Sequence, residues 1–426
     1  MAREEFVEVP DESELPVLSQ ADLTQIMRDH ADFLKGKHGG ARAVVKFKDI
    51  SGLDMSDSNL SQADFTGSRL AGTDMSHCQM EAVVLFACDL RNADLQSTNL
   101  SRADLRGAYL SGANMTGATL EGADLREGKI MKRDKEGVLT DRERNVVSST
   151  KTVLSGARLT HANMKDVDAR GADFSDVDLT GAEIQQADCE GANFTNANLA
   201  DTDLSNSKFN RANLKGAITA NSLMKNTEFF DTEQAEVLSD HDMGHKLETL
   251  GKSLEELLAE HHKWVASAGK ESQQLNLSAF DLRDILKLNK YEMTAVKAIG
   301  ANFISQNLYK AHLQHADLDK SDFRDCNLKE ADLRASSMKY ALFSRGDLRQ
   351  ADFSPLYFKN DDGSMRKRSV DLTGADFRYA DLRDADLSHA ILKGADFSHA
   401  LLNRTNFHEA ETSGALFIGT IMEENL

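Results

Sequence analysis

An apolar residue occurs at every fifth position over a long stretch of this 426-residue chain. The run has 17 consecutive members, spaced by five from Ile50 to Ile130, and Leu, Met and Phe fill most of them. A small residue often lies two positions before the apolar one, and Asp or Asn often lies directly before it. Neither the 3.6-residue period of a helix nor the two-residue period of a strand fits this spacing. A solenoid with short, equal sides fits it.

The repeating unit, as in Ala103-Asp104-Leu105-Arg106-Gly107, resembles that of the pentapeptide-repeat family over most of the chain. This resemblance implies an all-β solenoid, a right-handed quadrilateral β-helix in which four pentapeptides form one coil. The apolar residue and the small residue of each unit would point inward. We expect two such β-helix halves, with short α-helical capping or linker segments.

Phenylalanines recur at a spacing of 20, which supports four units per coil independently of the resemblance. We predict that six of them stack in one internal column, at about 4.8 Å per coil. Between Phe343 and Phe377 the spacing is 34, so 14 additional residues must leave the coil and return in register. The predicted column consists of Phe303, Phe323, Phe343, Phe377, Phe397 and Phe417.

Breaks in the five-residue pattern divide the chain into four parts, two helical segments that alternate with two repeat segments. Each repeat segment is interrupted by a hairpin, so the order helix, repeats, hairpin, repeats occurs twice along the chain. This order indicates an ancestral tandem duplication. The predicted parts are an acidic arm with an N-terminal capping helix (1–40), a first β-helix (41–230) with a basic hairpin excursion at 131–153, an acidic helical linker or cap (231–276), and a second β-helix (277–426) with a basic hairpin excursion at 354–371.

We expect each helical segment to cover the first coil of the β-helix that follows, because an uncapped coil exposes apolar side chains and a sheet edge. Residues 1–18 are acidic and are expected to be flexible, whereas Ser19 followed by Asp22 is typical of a helix start with a capping box. Both helices contain a histidine followed three residues later by an aromatic residue. We predict that these histidines, His30 and His261, are hydrogen-bonded core residues.

The net charge of −19 lies mainly outside the repeats. Residues 1–40 and 231–276 together carry −11, whereas the 131–153 excursion carries +2. Direct nucleic-acid binding is not expected, because phosphate contacts need surplus Lys and Arg. A DNA mimic is also disfavoured, because mimicry needs a dense negative stripe along the solenoid.

Several classes of protein are not supported by the sequence. No apolar run approaches the about 18 residues of a membrane-spanning helix, and the acidic start shows no secretory signal. No nucleophile elbow, P-loop or dinucleotide fingerprint occurs, so we predict neither an enzyme nor a cofactor. The cysteines form no C-x-x-C pair and are predicted to be small core residues, with no metal site. We therefore expect a bacterial cytoplasmic protein. The cysteines are Cys78, Cys88, Cys189 and Cys326.

The basic hairpin excursions are the strongest candidates for a binding site, because loops that interrupt a rigid scaffold often carry function. We predict a non-enzymatic scaffold for a protein partner, with the hairpins contacting an acidic surface or a phosphate group. A purely solubilising role for the hairpins is the alternative at that site. The candidate residues are Lys132, Arg133, Lys135, Arg142, Arg144, Lys359, Arg366, Lys367 and Arg368.

Two other functions stay open for the whole chain. One is a DNA-mimicking modulator of DNA gyrase or topoisomerase, which is the role of the quinolone-resistance members of the family. The other is sensing of an anionic nucleotide through the hairpins. We also expect the uncapped C-terminal coil either to pair with another copy, which gives a homodimer, or to contact a partner.

Overall fold

The computed structural model describes residues 7–8, 15–131, 147–239, 242–283, 285, 288–359 and 364–422. The chain forms two compact units, Met1–Asp240 and His241–Leu426. In both units, parallel β-bridges join residues that are 20 positions apart, as between Asp54 and Asp74. Four columns of such bridges run along each unit, so each unit is a four-sided β-solenoid with 20 residues per regular coil.

A tight turn separates each side of the coil from the next. The Ala63 N–H donates to the Leu60 carbonyl at 3.0 Å across one such turn. Gln62, between them, has a φ of 65°, and Gly67 has a φ of 67° at the same position of the next side. This left-handed conformation favours Gly, Asn and Asp, which explains why these residues are frequent two positions after the apolar one. Between turns, the Leu60 N–H donates to the Gln79 carbonyl of the adjacent coil at 2.7 Å.

The core lies inside the coils and consists of the apolar residue of each unit and the small residue two positions before it. Leu95 and Ala93 illustrate this arrangement, with exposures of 0% and 1%. Where the small residue is polar, its side chain donates to a backbone carbonyl, either of the adjacent coil, as Thr98 Oγ1 does to Met75 O at 2.7 Å, or of its own coil, as Thr202 Oγ1 does to Leu199 O at 2.6 Å. The buried hydroxyl therefore has a partner, and the position tolerates Ala, Ser, Thr or Cys.

All four cysteines are buried free thiols, as the sequence predicts for small core residues. Cys78 Sγ donates to the Met55 carbonyl at 2.9 Å, in the same way as the hydroxyl of Thr98. Burial raises the pKa of Cys78 to about 11 and that of Cys88 to about 12, so both thiols stay protonated at neutral pH. Within the described part of the chain, no group of three or more His, Cys, Asp or Glu residues is placed to hold a metal ion.

The six phenylalanines at spacing 20 lie in one continuous column through the second unit. From Phe303 to Phe417, successive ring centroids are 4.5, 5.1, 4.8, 4.9 and 5.1 Å apart, and interplanar angles are 10° or less. The distances match the spacing of neighbouring strands, because each coil contributes one ring. Phe417, in the last described coil, is only partly buried.

Two α-helices precede the coils, α1 at Gln20–Leu34 in the first unit and α2 at Leu254–Ala266 in the second. Both begin with a capping box, formed by Ser19 with Asp22 and by Ser253 with Glu256. Short 3-10 helices span Leu247–Leu250 and Leu288–Lys290. None of the helices in the described ranges is both long enough and apolar enough to cross a lipid bilayer.

Helix α1 packs on the first coil of the first unit and pairs with its backbone. The side-chain amide of Gln20 accepts from the Asp54 N–H at 2.9 Å and donates to the Asp54 carbonyl at 2.8 Å, as an adjacent strand would. Just before the helix, Val17 forms a parallel bridge with Asp49. These contacts occupy backbone groups that would otherwise form an open sheet edge.

His30 of α1 connects the helix to the coil. Its Nδ1 accepts from the Ala43 N–H at 3.1 Å, and its Nε2 lies 3.1 Å from the Ser61 carbonyl. Since Nδ1 accepts, the proton of the neutral ring lies on Nε2, which donates to Ser61. The ring is fully buried and stacks on Phe33, with centroids 5.8 Å apart.

His261 of α2 makes the equivalent contacts in the second unit. Its Nδ1 accepts from the Leu275 N–H at 3.0 Å, and its Nε2 lies 2.9 Å from the Thr294 carbonyl. The ring is fully buried and stacks on Trp264, with centroids 5.7 Å apart. The shared pattern of histidine and aromatic residue therefore produces the same local structure twice.

The strands lie in the two insertions, in the N-terminal arm and at the start of the second unit. The first insertion contains β2 (Gly128–Met131) antiparallel to β3 (Val147–Thr150), and the second contains β6 (Leu356–Lys359) antiparallel to β7 (Met365–Arg368). Strand β1 (Val7–Glu8) pairs parallel to β2, and β4 (His245–Lys246) pairs parallel to β5 (Phe280–Asp281).

Both insertions return the chain to the coil in register. Tyr109 bridges Val153 across the first insertion, a spacing of 44 residues, and Ser337 bridges Asp371 across the second, a spacing of 34. These spacings equal one 20-residue coil plus 24 and 14 additional residues. The excursion at 354–371 thus rejoins the column that the phenylalanine spacing assigns to it.

Three sequence predictions are wrong in detail. Ile130 is not a repeat residue, because the chain already leaves the coil at β2, where Ile130 pairs with Ser148. Residues 231–239 are not helical: Leu238 bridges Ile218, so the coil continues although polar residues replace the apolar ones. The adjacent coil supplies the backbone ladder there, and the side-chain pattern is not needed. Residues 7–8 and 15–18 of the arm are not unstructured, since Val7, Glu8 and Val17 form β-bridges.

Candidate functional site

The second hairpin leaves the solenoid between two buried core residues. Phe353, before it, and Val370, after it, both have an exposure of 0%. The core is therefore continuous below the insertion, and β6 and β7 project from an intact coil. Pairing of Leu356 with Arg368 and of Lys359 with Met365 fixes the register of the two strands.

One face of this hairpin contacts the coil through an aromatic pair. The ring of Phe358 lies 5.0 Å from that of His315, in a tilted arrangement. Burial, together with the positive charge of Arg368, lowers the pKa of His315. The imidazole is therefore neutral at pH 7, and it supports the hairpin as an aromatic surface and not as a further cation.

The basic side chains of the second hairpin point into solvent. All four are exposed, namely Lys359, Arg366, Lys367 and Arg368. Two neighbouring side chains are exposed as well, Tyr357 at 55% and Met365 at 62%. Lys367 Nζ lies 3.1 Å from His389 Nδ1. Over the residues that the structure describes, none of the four cations forms an ion pair with a carboxylate. The hairpin thus presents positive charge beside exposed apolar surface.

The predicted site residues of the first hairpin lie outside the described residues. They are Lys132, Arg133, Lys135, Arg142 and Arg144. The stem of their hairpin is described, and it differs from the second hairpin in one respect. A third strand, β1, lies parallel to β2, with Val7 opposite Ile130 and Glu8 opposite Met131. The sheet order is β1-β2-β3. Sequence reasoning missed this strand, although Val7-Glu8-Val9 alternates apolar and acidic residues as a strand does.

Outside the hairpins, arginines neutralise many of the outward-facing aspartates. Arg126 binds Asp124 of its own coil at 2.7 Å and approaches Asp168 of the adjacent coil at 3.2 Å. Arg349 repeats this arrangement, with Asp347 at 2.6 Å and Asp381 at 3.6 Å. Burial alone would raise the pKa of Asp124, but the hydrogen bonds from Arg126 hold that pKa below its usual value. These columns therefore alternate in charge instead of forming a continuous acidic stripe.

Comparison with known proteins gives one family. The model of pentapeptide repeats matches eight segments, which together span more than half of the chain. No curated protein matches the sequence. The matched segments are residues 49–85, 88–126, 150–186, 182–218, 293–325, 326–354, 368–404 and 392–423.

Solved structures of pentapeptide-repeat proteins resemble the chain at low sequence identity. QnrB1, a plasmid-mediated fluoroquinolone resistance protein, is 19% identical and aligns over 50% of this chain and 97% of its own, with a TM-score of 0.32. HetL of the cyanobacterium Nostoc, a pentapeptide-repeat protein involved in heterocyst differentiation regulation, is 17% identical. It aligns over 93% of this chain and 98% of its own, with a TM-score of 0.19.

The assignment thus rests on the repeats themselves. The eight matched segments contain the five-residue units that build the coils, and the gaps between the segments include both hairpin insertions. The chain belongs to the pentapeptide-repeat family, whose fold is a right-handed β-helix.

Proposed function

We propose that this chain is a non-enzymatic, cytoplasmic scaffold that binds a protein partner through its basic hairpins and rigid coil faces. One observation carries the proposal: Lys359, Arg366, Lys367 and Arg368 are exposed on a hairpin whose base lies between two buried core residues. Holding these like charges together with no carboxylate partner among the described residues is unfavourable for the isolated chain, and an acidic partner surface would relieve it. The buried free thiols are compatible with a reducing compartment.

We propose further that α1 and α2 act as caps and that the two units arose by duplication. The equivalent contacts of His30 and His261 support both statements, because each ring joins a helix to the first coil through the same two nitrogen atoms. A capped first coil keeps the solenoid from adding further strands at that end. The hairpin would therefore be held on a scaffold with little freedom to rearrange.

Deleting residues 355–368 tests the proposal, because it removes 14 residues and so restores the regular 20-residue spacing. Ser354 would then be followed by Ser369, Val370 and Asp371, in the order of an ordinary unit. We expect the deletion variant to keep its β-sheet circular dichroism and thermal midpoint. In a pull-down from the source cells, it should lose the partner that the full chain retains.

A triple variant, R366A/K367A/R368A, provides a milder form of the same test. Its matched control replaces three exposed coil lysines, Lys215, Lys225 and Lys320, by alanine. The hairpin variant should lose the partner and the control should retain it, although both remove three positive charges. Equal retention by both variants would contradict the proposal. Inhibition of gyrase supercoiling by the deletion variant would favour the DNA-mimic alternative instead.

We also propose that the chain dimerises through the last described coil of the second unit. Four apolar side chains are exposed there: Leu416 at 47%, Ile418 at 64%, Ile421 at 40% and Met422 at 49%. Adjacent apolar residues on an exposed strand edge favour pairing with another chain. Light scattering should give twice the chain mass, and I418K/I421K should give the monomer mass. A monomer for the unaltered chain at all concentrations would contradict this.

A further inference from the structure

We propose that the free edge of β6 binds an extended acidic segment of a partner protein, which adds to the hairpin as a parallel third strand. This inference rests on the proposed function and specifies the chemistry of the partner. Peptide binding by strand addition uses main-chain hydrogen bonds for affinity and side chains for specificity.

The first hairpin already binds such a segment. Strand β1 lies parallel to β2, and it comes from an arm with six acidic residues and one basic residue in positions 1–14. The hairpin that receives it is basic, with six basic and four acidic residues from 128 to 150. The molecule therefore contains one example of an acidic strand added to a basic hairpin.

The second hairpin is built in the same way. Each hairpin follows an apolar coil residue, Leu125 before the first and Phe353 before the second. In each hairpin, four residues of one strand pair with four of the other in antiparallel register. It is basic as well, with four basic and two acidic residues from 356 to 368. Strand β6 is the first strand of its hairpin, as β2 is of the first, so the β6 edge is the equivalent binding position.

This edge is unoccupied by any strand of the described residues, because the β6–β7 sheet has two strands only. In an antiparallel pair, alternate residues direct their N–H and C=O groups away from the partner strand. Some backbone groups of Leu356–Lys359 are therefore available for an incoming strand. The exposed edge of a basic hairpin resists pairing with another basic strand, but it does not resist an acidic one.

Charge complementarity identifies the occupant. Lys359 lies on β6 itself, and the cations of β7 are one strand spacing, about 4.8 Å, further away. A strand added to β6 therefore lies about 4.8 Å from β6, within the screening length of about 8 Å at physiological ionic strength, and about 9.6 Å from β7, just beyond that length. Successive residues of a strand face opposite sides, so the partly exposed ring of Phe358 offers an apolar contact on the face of β6 opposite Lys359. A segment that alternates acidic and β-branched residues meets both requirements, and the chain's own arm is already paired with β2.

Calorimetric titration with a synthetic peptide of residues 1–14 tests the inference through its stoichiometry. The full chain should bind one peptide, a chain lacking residues 1–14 should bind two, and the in-register deletion of 355–368 should bind none. Affinity for the full chain should fall about tenfold or more between low and moderate salt, because the contacts are ionic. The R366A/K367A/R368A variant, which keeps the hairpin, should bind at least tenfold more weakly.

Two peptide controls separate strand addition from simple charge attraction. A peptide with all six acidic residues replaced by Asn or Gln should bind at least tenfold more weakly. Two further peptides keep the charge but carry N-methyl groups on alternate backbone nitrogens, at the odd positions in one and at the even positions in the other. Only one of these two sets of N–H groups faces β6, so only one of the two peptides should bind weakly. Equal binding in both alternations would overturn the strand-addition geometry.

The inference and the proposed function can fail separately. If the full chain binds no peptide, or if binding survives deletion of 355–368, the inference is overturned, even where partner capture still depends on the hairpin. If the peptide binds as stated but partner capture does not depend on the hairpin, the proposed function is wrong. Concentration-dependent association of the chain that is abolished by removing residues 1–14 would assign the β6 edge to a second copy, which also overturns the inference.

Discussion

Replacing Phe343 by alanine is expected to destabilise the second unit by about 3–5 kcal/mol, the usual cost of deleting a buried ring. Phe343 lies in the middle of the column, 5.1 Å from Phe323 and 4.8 Å from Phe377, and has an exposure of 0%. The closed coil cannot collapse around the vacancy, because backbone ladders fix the spacing of the coils on all four sides. Urea unfolding followed by circular dichroism measures the loss.

Phe417→Ala is the matched control for this substitution. It removes the same ring from the same column, but Phe417 is only partly buried and contacts the column on one side, at 5.1 Å from Phe397. We expect a loss of about 1 kcal/mol, since less apolar area returns to water. Equal losses at the two positions would show that the column does not stabilise the unit as its stacking indicates.

Replacing His261 by leucine is expected to cost about 2–4 kcal/mol, because one buried and one partly buried backbone group lose their partners at once. The Leu275 N–H and the Thr294 carbonyl both bond to this ring, at 3.0 and 2.9 Å. His262→Leu is the control, since the adjacent His262 is exposed and forms one hydrogen bond within the described residues, to the Glu292 carbonyl. Thermal unfolding should separate the two variants clearly, and similar midpoints would contradict the role given to His261.

The same histidines should make stability depend on pH. Burial lowers the pKa of His30 and of His261 below the usual 6.5, and the positive charges of Arg42 and His262, respectively, add to this. The unfolded chain therefore takes up protons at a higher pH than the folded chain does. Stability should be complete above pH 6.5 and should decline as the pH falls through the lowered pKa values. His261→Gln, which retains a donor for Thr294 but cannot titrate, should reduce this decline.

Much of the fold follows from the sequence because one physical rule repeats. The five-residue period places the apolar and small residues inside, and the phenylalanine spacing of 20 gives the coil length and the 14-residue insertion. Ser19 and Asp22 predict the start of α1, because a capping box depends only on local residues. These features are local or strictly periodic, and no tertiary information is needed to find them.

The features that sequence reasoning missed depend on contacts between distant segments. Strand β1 exists because β2 offers it an edge, and residues 231–239 continue the coil because the adjacent coil supplies a ladder. Gln20 imitates a strand by bonding both backbone groups of Asp54, and nothing in the helix sequence indicates this. For the candidate site, the sequence predicts which cations belong to the second hairpin. It does not predict that they have no carboxylate partners among the described residues.

The central claim is that a basic hairpin on an otherwise regular solenoid binds the partner. The most direct test is the dissociation constant of the captured protein for the full chain and for the chain without residues 355–368, each at low and moderate salt. The account predicts a loss of at least about 100-fold on deletion, equivalent to about 2.7 kcal/mol, and a weaker full-chain complex at the higher salt. An unchanged dissociation constant in the folded deletion variant would contradict it.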